Sequence, residues 1–249
     1  MLLAVDIGNT NITFGVFKKN RIVKRFNIPT SRYNKKALSV FLSPVIPQVK
    51  DNIICSVVPK ITGCLRKDLK SLFLRQPLIV GEDVFVPIRN LYHLPSQVGQ
   101  DRLVNAFAGC AIYGQPLIIV DYGTAITFDV ISKKGEYLGG MILPGLQVAL
   151  ESLHERTALL PRVKLTPPRK LIGRTTRESI QSGIVYGFGA LTDGLIGRIK
   201  KQFPSNTRVI GTGGNIRLMR RYCRSFNGID ENITLKGLYL LFASLKNKN

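Results

Sequence analysis

Two stretches of this chain are near-copies of one another. "LLAVDIGNTNITFGVF" occupies residues 2–17 and "LIIVDYGTAITFDVI" residues 117–131. Each reads Val-Asp-x-Gly, then a Thr, then Ile-Thr-Phe, with one residue fewer in the second. Each begins with an apolar run (2–5; 117–120) whose length and flanking turn residues suit a buried strand. Past the turn, Ile12, Phe14 and Val16, or Ile126, Phe128 and Val130, alternate with other residues. That period predicts a half-buried strand returning antiparallel beside the first. A third strand is expected in both, at "RIVKRFNI" (21–28) and "EYLGGMIL" (136–143). A repeat of this kind divides the 249 residues into two halves, 1–115 and 116–249, each long enough for a core of its own.

Strands and helices alternate after each repeat. "NIICSV" (52–57) reads as a strand leading into a helix after Pro59, a residue suited to a first helical turn. "PLIV" (77–80) follows, then a long loop, then a helix over "GQDRLVNAFAGCAIYG" (99–114) with Leu103, Val104, Phe107, Ala108, Ala111 and Ile112 on one face. In the second half, 175–203 predicts one long helix or a pair, followed by a strand at 208–214, a helix, and the apolar "LKGLYLLFASL" (235–245). The expected class is therefore α/β: two duplicated domains with mixed sheets flanked by helices. In such a pair a cleft between the halves is the natural ligand site.

The turns themselves carry chemistry. In Asp6-Ile7-Gly8-Asn9-Thr10-Asn11 a strand ends on a carboxylate, and Gly8 allows a tight turn with backbone N–H groups presented outward. Asn and Thr add further donors. Phosphate oxygens suit such a turn, and a carboxylate beside them suits a metal ion or its waters. Asp121-Tyr122-Gly123-Thr124 repeats the parts. A single Asp-Gly turn is explained by turn chemistry alone; two near-copies at matching places are not. No Walker loop and no G-x-G-x-x-G occurs, so the P-loop and dinucleotide-fold readings lack support.

Charge and cysteines narrow the class. Thirty-six basic residues face fifteen acidic ones, a net charge of +21. Anionic partners are favoured: nucleotides, acidic metabolites or nucleic acid. The clusters at 18–25 and 217–224 sit in no nucleic-acid motif, so solvated basic faces are the plainer explanation. Cys55, Cys64, Cys110 and Cys223 are widely spaced and only His93 and His154 could join them, which predicts reduced, mostly buried thiols and a cytoplasmic setting. No apolar run approaches the ~18 residues of a membrane span, and no leader pattern precedes Asp6.

"VGQDR" (98–102) opens the mid-chain helix, placing Asp101 in its first turn, where the helix dipole favours an anion. Helix capping accounts for an Asp there. The alternative is a carboxylate kept ionised to accept a proton from a substrate hydroxyl, with Arg102 beside it for an anionic substrate. In phosphoryl transfer such a base chiefly positions the attacking oxygen.

The twin turns resemble those of the actin, sugar-kinase and heat-shock chaperone superfamily, whose two ribonuclease-H-like halves clamp ATP. The resemblance becomes specific in "DIGNTNITFGVF", "GQDR", "DYGTAITFDV", "YLGGMILPGL", "TALLP", "IGRTTRESIQSGIVYG", "TGGN" and "LKGLYLL". In order and spacing these look like the type III pantothenate kinases, over nearly the whole chain. That family phosphorylates the terminal hydroxyl of pantothenate with ATP, the first step towards coenzyme A.

The resemblance implies an ATP turn made of Asp6, Ile7, Gly8, Asn9, Thr10, Asn11, Ile12 and Thr13, with Asp6 near magnesium, through water. It implies Thr124 as a second ATP contact and Asp101 as the base. Tyr92, Gly99, Gln100, Asp101 and Arg102 would contact pantothenate, Arg102 suiting its carboxylate. Asp121 would hold an activating monovalent cation, potassium or ammonium. Thr176 would line the pantothenate pocket, although Thr175 and Thr176 are rivals for that role and for capping the following helix. Gly140 and Gly145 would allow close approach near the nucleotide. A homodimer is implied, with the pantothenate pocket at or near its interface, and no membrane partner. Ala149 departs from the Ser usual at its place, which leaves the phosphate donor open. A regulator or nucleic-acid binder on the same scaffold, without kinase activity, is the rival reading; it has no need of the Asp6, Asp101, Arg102 and Asp121 set.

Overall fold

The computed structural model describes residues 1–246; the end of the expected second half, 247–249, lies outside the described residues. The chain forms two compact units. The first comprises Met1–Ile88, His93–Ala108 and the segment from Asn232 onward; the second comprises Arg89–Tyr92 and Gly109–Glu231.

The first unit begins with three strands, β1 (Leu2–Ile7), β2 (Asn11–Lys18) and β3 (Arg21–Pro29). Next come helix α1 (Lys35–Leu42), β4 (Asp51–Ser56), helix α2 (Pro59–Phe73) and the short β5 (Leu78–Ile79). Their sheet has the order β3-β2-β1-β4-β5. The first three strands pair antiparallel, whereas β1–β4 and β4–β5 are parallel. Leu3, Val5 and Ile7 of β1 join one core with Leu38, Leu42, Leu65 and Leu69 of the two helices. Leu2 and Ala4 point the other way, into a core with Val104 of α3 (Gln100–Tyr113) and with Leu235, Leu238 and Leu241 of α7 (Ile233–Lys246). A strand covered on both faces has no polar side to show, and so β1 reads as an unbroken apolar run. Gly237 lets α7 lie against α3, since a Cβ there would come within 2.8 Å of the Val104 carbonyl oxygen.

The second unit repeats the plan. Strands β6 (Leu117–Tyr122), β7 (Ala125–Ile131) and β8 (Tyr137–Pro144) lead into helices α4 (Leu146–Glu155) and α5 (Thr176–Lys200). Then follow β9 (Arg208–Thr212), α6 (Ile216–Met219) and β10 (Gly228–Ile229). The order β10-β9-β6-β7-β8 is that of the first sheet read from the other edge. Again the first three strands are antiparallel and the last two parallel. This is the duplicated α/β arrangement expected from the repeat, and the ribonuclease-H-like one that the resemblance implies. Within 175–203 there is one helix, α5, not a pair, and residues 201–203 form the short turn that follows it.

Cys55 and Cys223 are buried and Cys110 half-buried, but Cys64 is exposed on α2; all four are free thiols. Among the described residues, no helix is long and apolar enough to cross a membrane.

Candidate active site

In the first unit, β1 ends at the first turn. Gly8 N–H donates to the Asn11 carbonyl at 3.0 Å, closing a four-residue loop between Ile7 and its partner Ile12. Thr30, which sequence reasoning did not single out, secures this loop from behind. Its hydroxyl donates to the Gly8 carbonyl at 2.7 Å and its N–H to the Thr10 carbonyl at 2.9 Å. With those carbonyls engaged inward, the exposed Asn9, Thr10 and Asn11 form the outer surface of the turn. Thr13 is half-buried and Ile7 and Ile12 are buried, so the last two shape the turn by packing.

Asp6, half-buried, stands opposite Cys55 in the parallel β1–β4 register. Burial pushes the Cys55 thiol well above its usual range, and the charges of Asp6 and Asp101 push it further. Both carboxylates therefore lie within electrostatic reach of one buried thiol. The fold brings Asp6 and Asp101, far apart in sequence, to the same end of the sheet.

The helix start explains the G-x-D-R spacing. Gly99 precedes α3, and its carbonyl accepts from the N–H groups of Arg102 (3.1 Å) and Leu103 (3.3 Å). The Asp101 carboxylate folds back over Gly99: a Cβ there would overlap Asp101 Oδ1. That oxygen accepts the Arg102 N–H at 2.9 Å. Burial raises the Asp101 carboxyl above its usual value, while the Arg102 N–H and the Arg102 charge oppose the rise. Arg102 is itself buried, at 8% exposure. The Gln100 side chain packs on Gly81, whose φ of +89° belongs to the left-handed region, and so helps to seat the helix start.

In the second unit, the second turn is shorter by one residue. Gly123 N–H donates to the Ala125 carbonyl at 3.1 Å, between Tyr122 and its partner Ile126. Two glycines close over it. Gly145 N–H donates to the exposed Thr124's carbonyl at 3.0 Å, and a Cβ at Gly145 would overlap that oxygen, so the close approach expected of Gly145 is to this turn. Gly140 pairs with Asp129 within the sheet. Gly213 of "TGGN" (φ +92°) lies so near the Asp121 carboxylate that a Cβ would overlap Oδ1. Asp121 thus lies between the backbones of Gly123 and Gly213. Tyr122 anchors the turn from below, its buried hydroxyl 2.5 Å from Thr192 Oγ1 on α5.

Thr175, not Thr176, caps α5: its hydroxyl accepts from Glu178 N–H at 3.2 Å, and Glu178 reaches back to the Arg174 N–H at 2.9 Å. Such reciprocal bonding is a capping box displaced by one residue. Thr176 begins the helix with its side chain exposed. Tyr92 lies half-buried with its ring against Gly139.

Comparison with known proteins places the chain in a family. The family model described as type III pantothenate kinase matches residues 2–198. The chain belongs to the type III pantothenate kinase family. A type III pantothenate kinase from Geotalea uraniireducens is 39% identical, the alignment covering 97% of this chain and 98% of the relative. Among solved structures, a Campylobacter jejuni protein of the Baf family of transcriptional activators superposes with a TM-score of 0.61 at 19% identity, over 98% of this chain and 99% of that one. The activator of 2-hydroxyisocaproyl-CoA dehydratase from Clostridium difficile, solved with ADPNP, gives 0.56 at 13% identity, over 99% and 96%. At those identities the structural likeness speaks for the fold, while the type III pantothenate kinase family rests on the sequence match.

Among the described residues, no group of three or more His, Cys, Asp or Glu side chains converges to hold a metal ion.

Proposed function

We propose that this chain, as a type III pantothenate kinase, transfers the γ-phosphoryl group of ATP to the terminal hydroxyl of pantothenate, giving 4'-phosphopantothenate, with Asp101 as the base. One observation carries the reading: a carboxylate pinned over Gly99 by the Arg102 N–H, sharing a buried neighbour with the Asp6 that ends β1. Asp101 accepts the hydroxyl proton as the oxygen attacks phosphorus. Its raised affinity for a proton makes it a stronger base than an exposed carboxylate. Arg102 supplies a permanent positive charge for the pantothenate carboxylate, with Tyr92, Gly99, Gln100 and Thr176 completing the acceptor contacts. The turn from Asp6 to Thr13, with Thr124, holds the phosphates by backbone and side-chain donors.

Magnesium bound with ATP neutralises phosphate charge. Asp6, half-buried beside a turn of exposed donors, fits a role towards that ion's waters. Asp121, held between two glycine backbones, fits a monovalent cation, a hard ion that takes oxygen ligands from carboxylate and carbonyl groups. Potassium or ammonium should then support faster turnover than sodium, and Asp121→Asn should flatten the difference. Equal rates in the three salts would remove the cation from Asp121.

The protein acts as a homodimer in this reading, so sedimentation should report twice the chain mass; a monomer at assay concentrations would contradict it. Steady-state ADP release tests the reaction itself. ADP should form with ATP, magnesium and potassium only when pantothenate is added, and pantothenate-independent release would mark a different enzyme.

A further inference from the structure

Tyr92 sits in a stretch without helix or regular strand, where an aromatic side chain would ordinarily sample several positions. Here three ties hold it. The N–H of Tyr137 donates to the Arg89 carbonyl at 2.8 Å, and the Tyr137 carbonyl accepts the Leu91 N–H at 2.9 Å. Asn90 thereby forms a parallel bridge to Tyr137, laying the segment along the start of β8. Asn90 Oδ1 then accepts the Tyr92 N–H at 3.0 Å, an Asx turn that sets the direction of the chain. The Tyr92 ring finally rests on Gly139, where an added Cβ would stand 3.4 and 3.5 Å from two ring carbons.

The place on β8 where this happens is irregular. Val130 pairs with Gly139 but Ile131 with Tyr137, so Leu138 is an extra residue and the strand bulges. Gly139 takes a φ of +126°, which a residue with a side chain rarely adopts. Bulges of this type re-aim neighbouring side chains. Tyr137, fully buried, is fixed by its hydroxyl, which donates to Asp129 Oδ1 at 2.8 Å. Asp129 is also fully buried and accepts from Thr127 Oγ1 at 3.3 Å. A buried carboxylate persists only where hydrogen bonds hold it, and this one ties the bulged strand to β7.

We propose that Tyr137 and Gly139 are positioning residues for the acceptor substrate: the Asp129-anchored bulge is a seat that fixes Tyr92. This rests on the reading that Tyr92 contacts pantothenate. The seat sets how much ordering remains to be done when substrate binds, so its loss appears in the KM for pantothenate and not in that for ATP.

The experiment compares steady-state constants of the full-length protein with those of Tyr92→Ala, Tyr137→Phe and Gly139→Ala, and of each seat variant combined with Tyr92→Ala. Tyr137→Phe and Gly139→Ala should each raise the KM for pantothenate on the order of 5- to 10-fold, leaving the KM for ATP within about twofold. On the Tyr92→Ala background neither should add anything. Equal rises in both KM values, no rise in that for pantothenate, or full additivity with Tyr92→Ala would each overturn the seat. If Tyr92→Ala itself leaves the KM for pantothenate unchanged, the Tyr92 contact falls and the seat with it. If Tyr92→Ala raises it and the seat variants do not, only the seat falls. Tyr137→Phe removes one hydroxyl and keeps the ring, so it reports even if Gly139→Ala folds poorly.

Discussion

Asp101→Asn is expected to abolish most turnover, by about 10²- to 10⁴-fold, while the KM for ATP stays near the wild-type value. Asn keeps the shape of the side chain and can still accept the Arg102 N–H that pins Asp101 Oδ1 at 2.9 Å. It cannot take up a proton. The loss therefore measures proton acceptance and positioning of the attacking hydroxyl, separately from folding of the helix start. The pH profile gives a second view of the same group. A base works only when deprotonated, and burial places the Asp101 pKa above the ordinary 3.8. Wild-type kcat should fall as pH drops through that raised value, and the fall should be missing from the residual activity of Asp101→Asn. Near-normal turnover in the variant would remove Asp101 from the chemistry.

The second large effect is expected at a residue with no side chain. Gly99→Ala would place a Cβ where the Asp101 carboxylate now lies, since Oδ1 folds directly over that position. Either the carboxylate rotates away or the helix start moves, and Val57, 3.7 Å from the same point, limits the second route. A displacement of about 1 Å at a reacting group costs on the order of 10²-fold in rate. Gly99→Ala should therefore lower kcat by about that factor with unchanged thermal stability, and the double variant with Asp101→Asn should be no slower than Asp101→Asn alone. Wild-type kcat in Gly99→Ala would show that the carboxylate position is not what the Gly protects.

The expected strands follow from how each is covered. β1 and β6 have both faces buried and read as apolar runs, whereas β2 and β7 alternate only over their first residues and are buried on both faces from Phe14 to Phe17 and from Phe128 onward, more than the half-buried strand that the period predicts. The repeat made the two turns legible as a pair, and their one-residue difference survives as four-residue and three-residue loops. Partners that arrive from elsewhere in the chain leave no local mark. Thr30 behind the first turn stands in no motif; Gly213 and Tyr137 stand in "TGGN" and "YLGGMILPGL", but nothing in those stretches announces that one lies beside Asp121 and the other bonds to the backbone of Arg89 and Leu91. An acid inside the apolar run "ITFDVI" was the one available hint at Asp129.

Other features were visible as residues but not as causes. "GQDR" is a pattern in the sequence; that Gly99 must lack a side chain because Asp101 folds over it is a property of the folded helix start. Thr175 and Thr176 were indistinguishable by spacing, and the hydrogen bond from Glu178 assigns the cap to Thr175. The sequence marks 235–245 as an apolar stretch, without showing that it is part of a helix or which sheet that helix covers. Leu235, Leu238 and Leu241 lie in the core of the first sheet although the second precedes them in the chain.

The central claim is transfer of a phosphoryl group to pantothenate by a base at Asp101. Single-turnover reaction of excess enzyme with γ-labelled ATP and pantothenate, wild type and Asp101→Asn side by side, tests it most directly. The account predicts label in 4'-phosphopantothenate for the wild type, and the same product formed far more slowly by the variant with ATP still bound. Label released as free phosphate, or equal transfer rates in the two proteins, would contradict it.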